Sequence, residues 1–102
     1  MDQATVMKNV KIYAEEVEKR YHPQAIVLYG SHAKGTATED SDIDVAVIFR
    51  GFTGNRWETS TQLWELTCNI DDRIEPILLD STKDRSGFVN EILKTGHVIF
   101  RA

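Results

Sequence analysis

The run Ala25-Ile-Val-Leu-Tyr29 is apolar at every position and stops at Gly30, and Val45-Ala-Val-Ile-Phe49 repeats the pattern. Short runs of this kind without alternation mark strands buried on both faces. The rest of the chain must then supply helices to cover a sheet. Val6, Val10, Tyr13 and Val17 recur at three- and four-residue steps, which predicts an amphipathic helix from Gln3 to Arg20. His22-Pro23 ends it, because a residue before proline is pushed out of the helical region. Ser31 to Ser41 is small, polar and glycine-containing, a loop with room for one helical turn, and Ile43 to Phe49 is the second strand. Asn55 with Glu58 has the form of a capping box and opens a helix running to about Ile70. Arg73 to Leu79 reads as a third strand and Asp84 to Thr95 as a third helix, with Gly96 as its stop and Val98 to Phe100 as a short last strand. The order α-β-β-α-β-α-(β) specifies a mixed α/β fold, a sheet flanked by helices. With 102 residues there is material for one core, so residues 1–102 are expected to form a single domain.

Charge and cysteine content exclude several functions. A formal charge of −4, with no basic run, offers no surface for duplex nucleic acid. The apolar runs are far too short to span a bilayer, and Met-Asp-Gln-Ala-Thr has no basic region leading into an apolar stretch, so neither membrane insertion nor secretion is expected. Cys68 stands alone, which rules out an internal disulfide and fits a reducing cytoplasm.

The segment Gly30-Ser-His-Ala-Lys-Gly-Thr-Ala-Thr-Glu-Asp-Ser-Asp42-Ile-Asp44 carries the chemistry. Alternate residues of a strand share a face, so Asp42 and Asp44 project together with Cα atoms about 7 Å apart. Two carboxylates side by side repel each other unless exposure or a cation offsets the cost. Mg²⁺ commonly takes one or two carboxylates and completes its shell with water and substrate phosphates. Two divalent ions about 3.5–4 Å apart stabilise the attacking and leaving oxygens of a phosphoryl or nucleotidyl displacement. At the end of the preceding strand, Gly30 lets backbone approach a phosphate, Ser31 adds a hydroxyl, and Lys34 is within reach of the same charge. Two other motifs fail. Gly30 to Gly35 has the glycine spacing of a P-loop, but Thr36-Ala37 stand where Lys-Ser/Thr is required. Asp40-x-Asp42-x-Asp44 opens like a calcium loop, then has Val45 for the turn glycine and Gly51 for the bidentate glutamate.

An apolar strand, Gly30-Ser31, ten intervening residues, then Asp42-Ile-Asp44 in a second apolar strand, preceded by Ser41, resembles the nucleotidyltransferase superfamily that includes DNA polymerase β. Gly-Ser and Asp-x-Asp at one fixed spacing arise by chance in roughly one chain of this length in a thousand, so coincidence accounts for them poorly. The text is most similar to the minimal nucleotidyltransferases, whose usual form is Gly-Ser-Arg-Ala-Arg-Gly…Ser-Asp-Ile-Asp-Leu; His32 and Lys34 stand here where arginine is more frequent. The resemblance implies that Asp42 and Asp44 bind two Mg²⁺ ions, that Gly30, Ser31, Lys34 and Ser41 hold the triphosphate of ATP, and that the next core strand supplies a third carboxylate. Glu75, acidic amid the apolar Arg73–Leu79 strand, fits that role and would assist deprotonation of the acceptor hydroxyl; the alternatives are that Asp72 is the third acid, or that Glu75 pairs with Arg73 on a solvated face. Minimal members are typically paired with a helical HEPN-type protein, an RNase toxin, and can transfer AMP to one of its tyrosines. The implied function is therefore a protein adenylyltransferase acting as antitoxin. A contact-only antitoxin, and transfer to a small molecule at a homodimer interface, are the alternatives.

Other conspicuous residues have plainer readings. Cys68 is expected to be a small packed side chain, and His22, His32 and His97 have no zinc spacing. His32 is either an exposed loop residue or a phosphate contact. On the second helix Leu63, Leu66, Thr67 and Ile70 form a stripe that Trp57, Trp64 and Cys68 widen beyond what one core needs. The tryptophans either roof the sheet or dock another chain.

Overall fold

The computed structural model describes residues 3–102. The first helix, α1 (Gln3–Tyr21), turns Val6, Val10, Tyr13, Ala14 and Val17 inward. It stops at His22, whose positive φ of 50° breaks the helix before Pro23. The strands β1 (Ala25–Tyr29) and β2 (Ile43–Phe49) have the bounds the apolar runs predict. They pair antiparallel, with Leu28 opposite Val45 and Tyr29 opposite Asp44. Between them α2 (Ser31–Lys34) is the single helical turn for which the loop had room. The chain crosses through α3 (Arg56–Thr67) to β3 (Ile74–Asp80), which lies parallel to β2. A 3-10 turn (Ser81–Lys83), α4 (Phe88–Thr95) and β4 (His97–Arg101) follow, β4 running antiparallel to β1. The sheet order is β3-β2-β1-β4, so β3 with its Pro76 is an edge strand, where a missing ladder donor is tolerated. No described helix is long and apolar enough to cross a membrane.

Strand alternation divides the core in two. Ile26, Leu28, Ile43, Val45, Val47, Ile74 and Leu78 face α1 and the Leu63 side of α3. Ala25, Val27, Ala46 and Ile48 face the opposite way, against Val89 and Ile92 of α4. Tyr29, Asp44 and Glu75 belong by the same alternation to this second face, which one short helix covers. Polar contacts fix α1 on the first face: Tyr13 Oη donates to the Leu63 carbonyl at 2.8 Å, and Asn9 Nδ2 to Asp71 Oδ2 at 3.0 Å.

Several elements differ from expectation. The helix expected from Asp84 begins four residues later, because the Asp84 carboxylate accepts from Val89 N at 2.9 Å and Asn90 N at 3.0 Å and so acts as the cap. Gly87, at φ 77°, makes the turn between them. Asn55 caps α3 as anticipated, accepting from Glu58 N at 3.0 Å, but that helix ends at Thr67 rather than near Ile70. Gly96 ends α4 as expected, but not through a left-handed turn. Its φ is −82°, and an added Cβ would stand 2.6 Å from the Ile92 carbonyl oxygen and from Val27 Cγ1. The close approach of chain to β1, not the turn, demands glycine. Cys68 is exposed, not packed. Trp57 is 84% and Trp64 45% exposed, so neither roofs the sheet; the buried stripe of α3 is narrower than its composition indicates.

Two measurements test this packing. Tyr13→Phe removes the α1–α3 hydrogen bond from a fully buried site and is expected to lower unfolding free energy by about 0.5–1.5 kcal/mol in denaturant titrations. Asp71 accepts from Arg73 Nη2 at 2.6 Å and from Asn9. Those bonds, the Arg73 side chain first, depress its pKa from 3.8 to about 2. A depressed carboxylate stabilises the fold above its unfolded pKa and loses that contribution as pH falls through the folded one. Asp71→Asn should therefore destabilise the protein at neutral pH and flatten the fall in stability between about pH 4 and pH 2.

Candidate active site

Pairing register builds the site. Tyr29 on β1 lies opposite Asp44 on β2, and Asp44 lies beside Glu75 on β3, so three side chains form a row across three strands. Asp42 immediately precedes β2 and reaches the same end, its carboxyl group within hydrogen-bonding reach of Glu75. Asp42 and Glu75 are exposed and Asp44 is half-buried. The three acids named from sequence are thus brought together at the uncovered end of the second face. Asp72, the substitute candidate, is exposed in the turn before β3, outside this row. The suggested Glu75–Arg73 pairing does not form; Arg73 is bound to Asp71 instead.

Gly30 makes room for this cluster. Its φ is 73°, and a methyl group there would overlap Asp44 Oδ2. The residue read from sequence as a phosphate approach is therefore also the space into which a carboxylate fits. Ser31, half-buried, opens α2, whose turn is closed by Ala33 and Lys34 N–H groups donating to the Gly30 carbonyl at 3.1 Å. Lys34 ends the turn exposed to solvent. Ser41 is engaged locally, its Oγ accepting from Thr38 N at 2.8 Å, which tightens the turn that delivers Asp42. His32 is not the exposed loop residue of one of its two readings. It is only 8% exposed, its Nδ1 lies 3.5 Å from Gln3 Oε1, and its Nε2 has no hydrogen-bond partner among the described residues.

Electrostatics record the crowding. Burial and then the Asp42 charge push Asp44 above the ordinary carboxylate range, with His32 opposing. Burial, the charge of Asp42, the hydrogen bond with it and the charge of Asp44 raise Glu75. Tyr29 is raised by burial and then by Asp44 and Glu75. A cation among these oxygens would relieve each of these costs, and the donor set is the hard-oxygen kind that Mg²⁺ takes. Among the described residues no three acidic, histidine or cysteine side chains form a ready-made cage, and an ion that keeps substrate phosphates in its shell does not require one. A cleft of about 680 Å³ lies at the opposite end of the sheet between Tyr21, Phe49 and Phe52. It is lined by no aspartate or glutamate, so the candidate site is the acidic end and not this cleft.

The aromatic pair beside the acids was not singled out in the sequence. Tyr29 and Phe88 meet edge to face, with ring centroids 5.9 Å apart and planes at 89°. Tyr29 is hidden in an apolar strand run and Phe88 in a helix-like segment; the register across β1 and β2 puts Tyr29 opposite Asp44, and the packing of α4 brings Phe88 to Tyr29.

The family model for polymerase β-type nucleotidyltransferases matches residues 11–102. Among solved structures the fold is similar to a Sulfolobus solfataricus protein provisionally described as a nucleotidyltransferase, with a TM-score of 0.74 and 23% identity, over 97% of this chain and 83% of that one. It is also similar to a chain from a toxin–antitoxin structure with AMP-PNP, with a TM-score of 0.62 and 23% identity, over 90% of this chain and 73% of that one. No curated protein sequence matches. Fold, spacing and family model agree, and the chain belongs to the polymerase β-type nucleotidyltransferase family as a minimal nucleotidyltransferase domain.

Proposed function

We propose that residues 1–102 act as one minimal domain in the cytoplasm, a Mg²⁺-dependent transferase that moves AMP from ATP to a hydroxyl of a partner protein, as the antitoxin of a HEPN-type pair. The observation that carries this reading is the convergence of Asp42, Asp44 and Glu75 at an open end of the sheet, with Gly30 left bare to admit Asp44. Like charges gathered at a solvent-facing edge have no structural use, whereas transfer chemistry needs them. The toxin–antitoxin structure with AMP-PNP supports the choice of an adenine nucleotide and of a protein partner. Trp57 and Trp64, exposed on α3, supply an aromatic surface of the kind that marks interfaces.

In this reading Asp42 and Asp44, with Glu75, hold Mg²⁺, which when bound neutralises charge on the triphosphate and on the displaced oxygens. Ser31 and Lys34 orient the triphosphate beside Gly30. The acceptor oxygen attacks the α-phosphorus, the bond to the β-phosphate oxygen breaks, and pyrophosphate leaves. Glu75 would take the acceptor proton, and its raised pKa, from burial first and then the charge of Asp42, supports that role.

Incubating the purified chain with the product of its neighbouring gene, ATP and Mg²⁺ should add AMP-sized mass to that partner, as read by intact-protein mass spectrometry. An unmodified partner, with wild type matching Asp42→Asn/Asp44→Asn, would overturn the proposal. The repulsion gives a second check on the metal-free chain. Raised carboxylates favour folding below their unfolded pKa and oppose it as pH rises through the folded one. Asp44→Asn is therefore expected to stabilise the metal-free protein at pH 7 by about 0.2–1 kcal/mol, the range for a cross-strand pair, with the gain vanishing below about pH 4. Mg²⁺ with ATP should raise the melting temperature of wild type but not of the double variant.

A further inference from the structure

Phe88 is 39% exposed although it opens a helix that otherwise packs on the sheet. The exposure is built in. Gly87 turns the chain at φ 77°, and the Asp84 carboxylate takes the N–H groups of Val89 and Asn90, so the start of α4 is held in place with the ring displayed. Phe88 meets Tyr29 edge to face, 5.9 Å between centroids, and keeps 39% of its surface open to solvent. Tyr29 in turn is the residue before Gly30-Ser31 and the cross-strand neighbour of Asp44. The aromatic corner is therefore continuous with the β1 side of the acidic row, while Glu75 occupies the other side, on the edge strand.

That polarity orders a substrate. In-line displacement sets the acceptor, toward Glu75, opposite the pyrophosphate, along Gly30-Ser31; the ribose and base leave the α-phosphate across that line, and on this face of the sheet the element standing there is α4. We infer that Phe88, braced by Tyr29, is the stacking platform for the nucleobase, and that it rather than the phosphate loop distinguishes a nucleotide from a bare polyphosphate. Aromatic faces bind bases by stacking worth about 1–3 kcal/mol per base, equal to about 5- to 150-fold in affinity. Purines, with more stacked area, are favoured over pyrimidines. The inference rests on the triphosphate reading proposed above, and the test separates the two.

Binding of α,β-methylene ATP, which cannot release its α-phosphate to an acceptor, and of inorganic tripolyphosphate should be compared by calorimetry in Mg²⁺ for wild type, Phe88→Ala, Phe88→Leu and Phe88→Trp. Wild type is expected to bind the nucleotide analogue more tightly than tripolyphosphate. Phe88→Ala and the volume-keeping Phe88→Leu should weaken the analogue about 5- to 150-fold and leave tripolyphosphate unchanged, and Phe88→Trp should restore the difference. Equal binding of both probes by wild type, or an analogue affinity indifferent to Phe88→Leu, overturns the stacking platform while the triphosphate site stands. Failure of wild type to bind either probe overturns both.

Discussion

The antiparallel pairing of β1 with β2 is the constraint on which the other features of this chain depend. Both strands are buried on both faces, so their side chains are committed to two cores at once. A one-residue slip of β2 would exchange its faces, driving Asp44 into the core against α1 and lifting Val45 out of it. The register is thus held by burial of Val45 and Val47, far more apolar area than any polar contact at the site protects. Tyr29 opposite Asp44, and Asp44 into the space at Gly30, follow from that register without further cost.

The site sits where the cores end. On the second face α4 covers Val27 and Ile48 but not the far ends of the strands, so the carboxylates keep enough water to stay soluble as a cluster. Burial first, and then their mutual repulsion, raises Asp44 and Glu75 above the ordinary carboxylate range and works against the fold. Placing Glu75 on the edge strand limits that conflict, since β3 has a single neighbour and Pro76 asks for no ladder donor there. The opposite ends of β2 and β3 are secured by Asp80, whose carboxylate accepts from Gly51, Phe52 and Thr82 backbone N–H groups and from the Thr82 hydroxyl, and is held well below the usual range by those bonds. One end of the sheet is locked and the other is chemically charged.

Much of this was legible without coordinates, and for identifiable reasons. Continuous apolar runs bounded by glycine admit one reading, so Ala25–Tyr29 and Ile43–Phe49 were located to the residue. The spacing of Asp42 and Asp44 needs only the two-residue period of a strand. Misreadings fell where long-range packing decides. Asp84 looked like the first residue of a helix because its role as a cap depends on the turn at Gly87. His32 looked like a loop residue because α1, thirty positions earlier in the chain, closes over it. The α3 stripe looked wide because composition cannot say that Trp57 is left exposed.

By itself the sequence determined which segments are strands, which acids stand on a common face, and how far Gly30-Ser31 lies from them, since these follow from local period and spacing. It also carried the family resemblance that the comparison with known families bears out. Tertiary structure alone decided that Glu75 rather than Asp72 joins Asp42 and Asp44, because parallel register between distant strands selects the neighbour. It likewise decided that Gly30 gives its missing side chain to Asp44, and that Tyr29 and Phe88 form an aromatic corner beside the acids. Those contacts join residues far apart in the chain, and nothing in local propensity can bring them together.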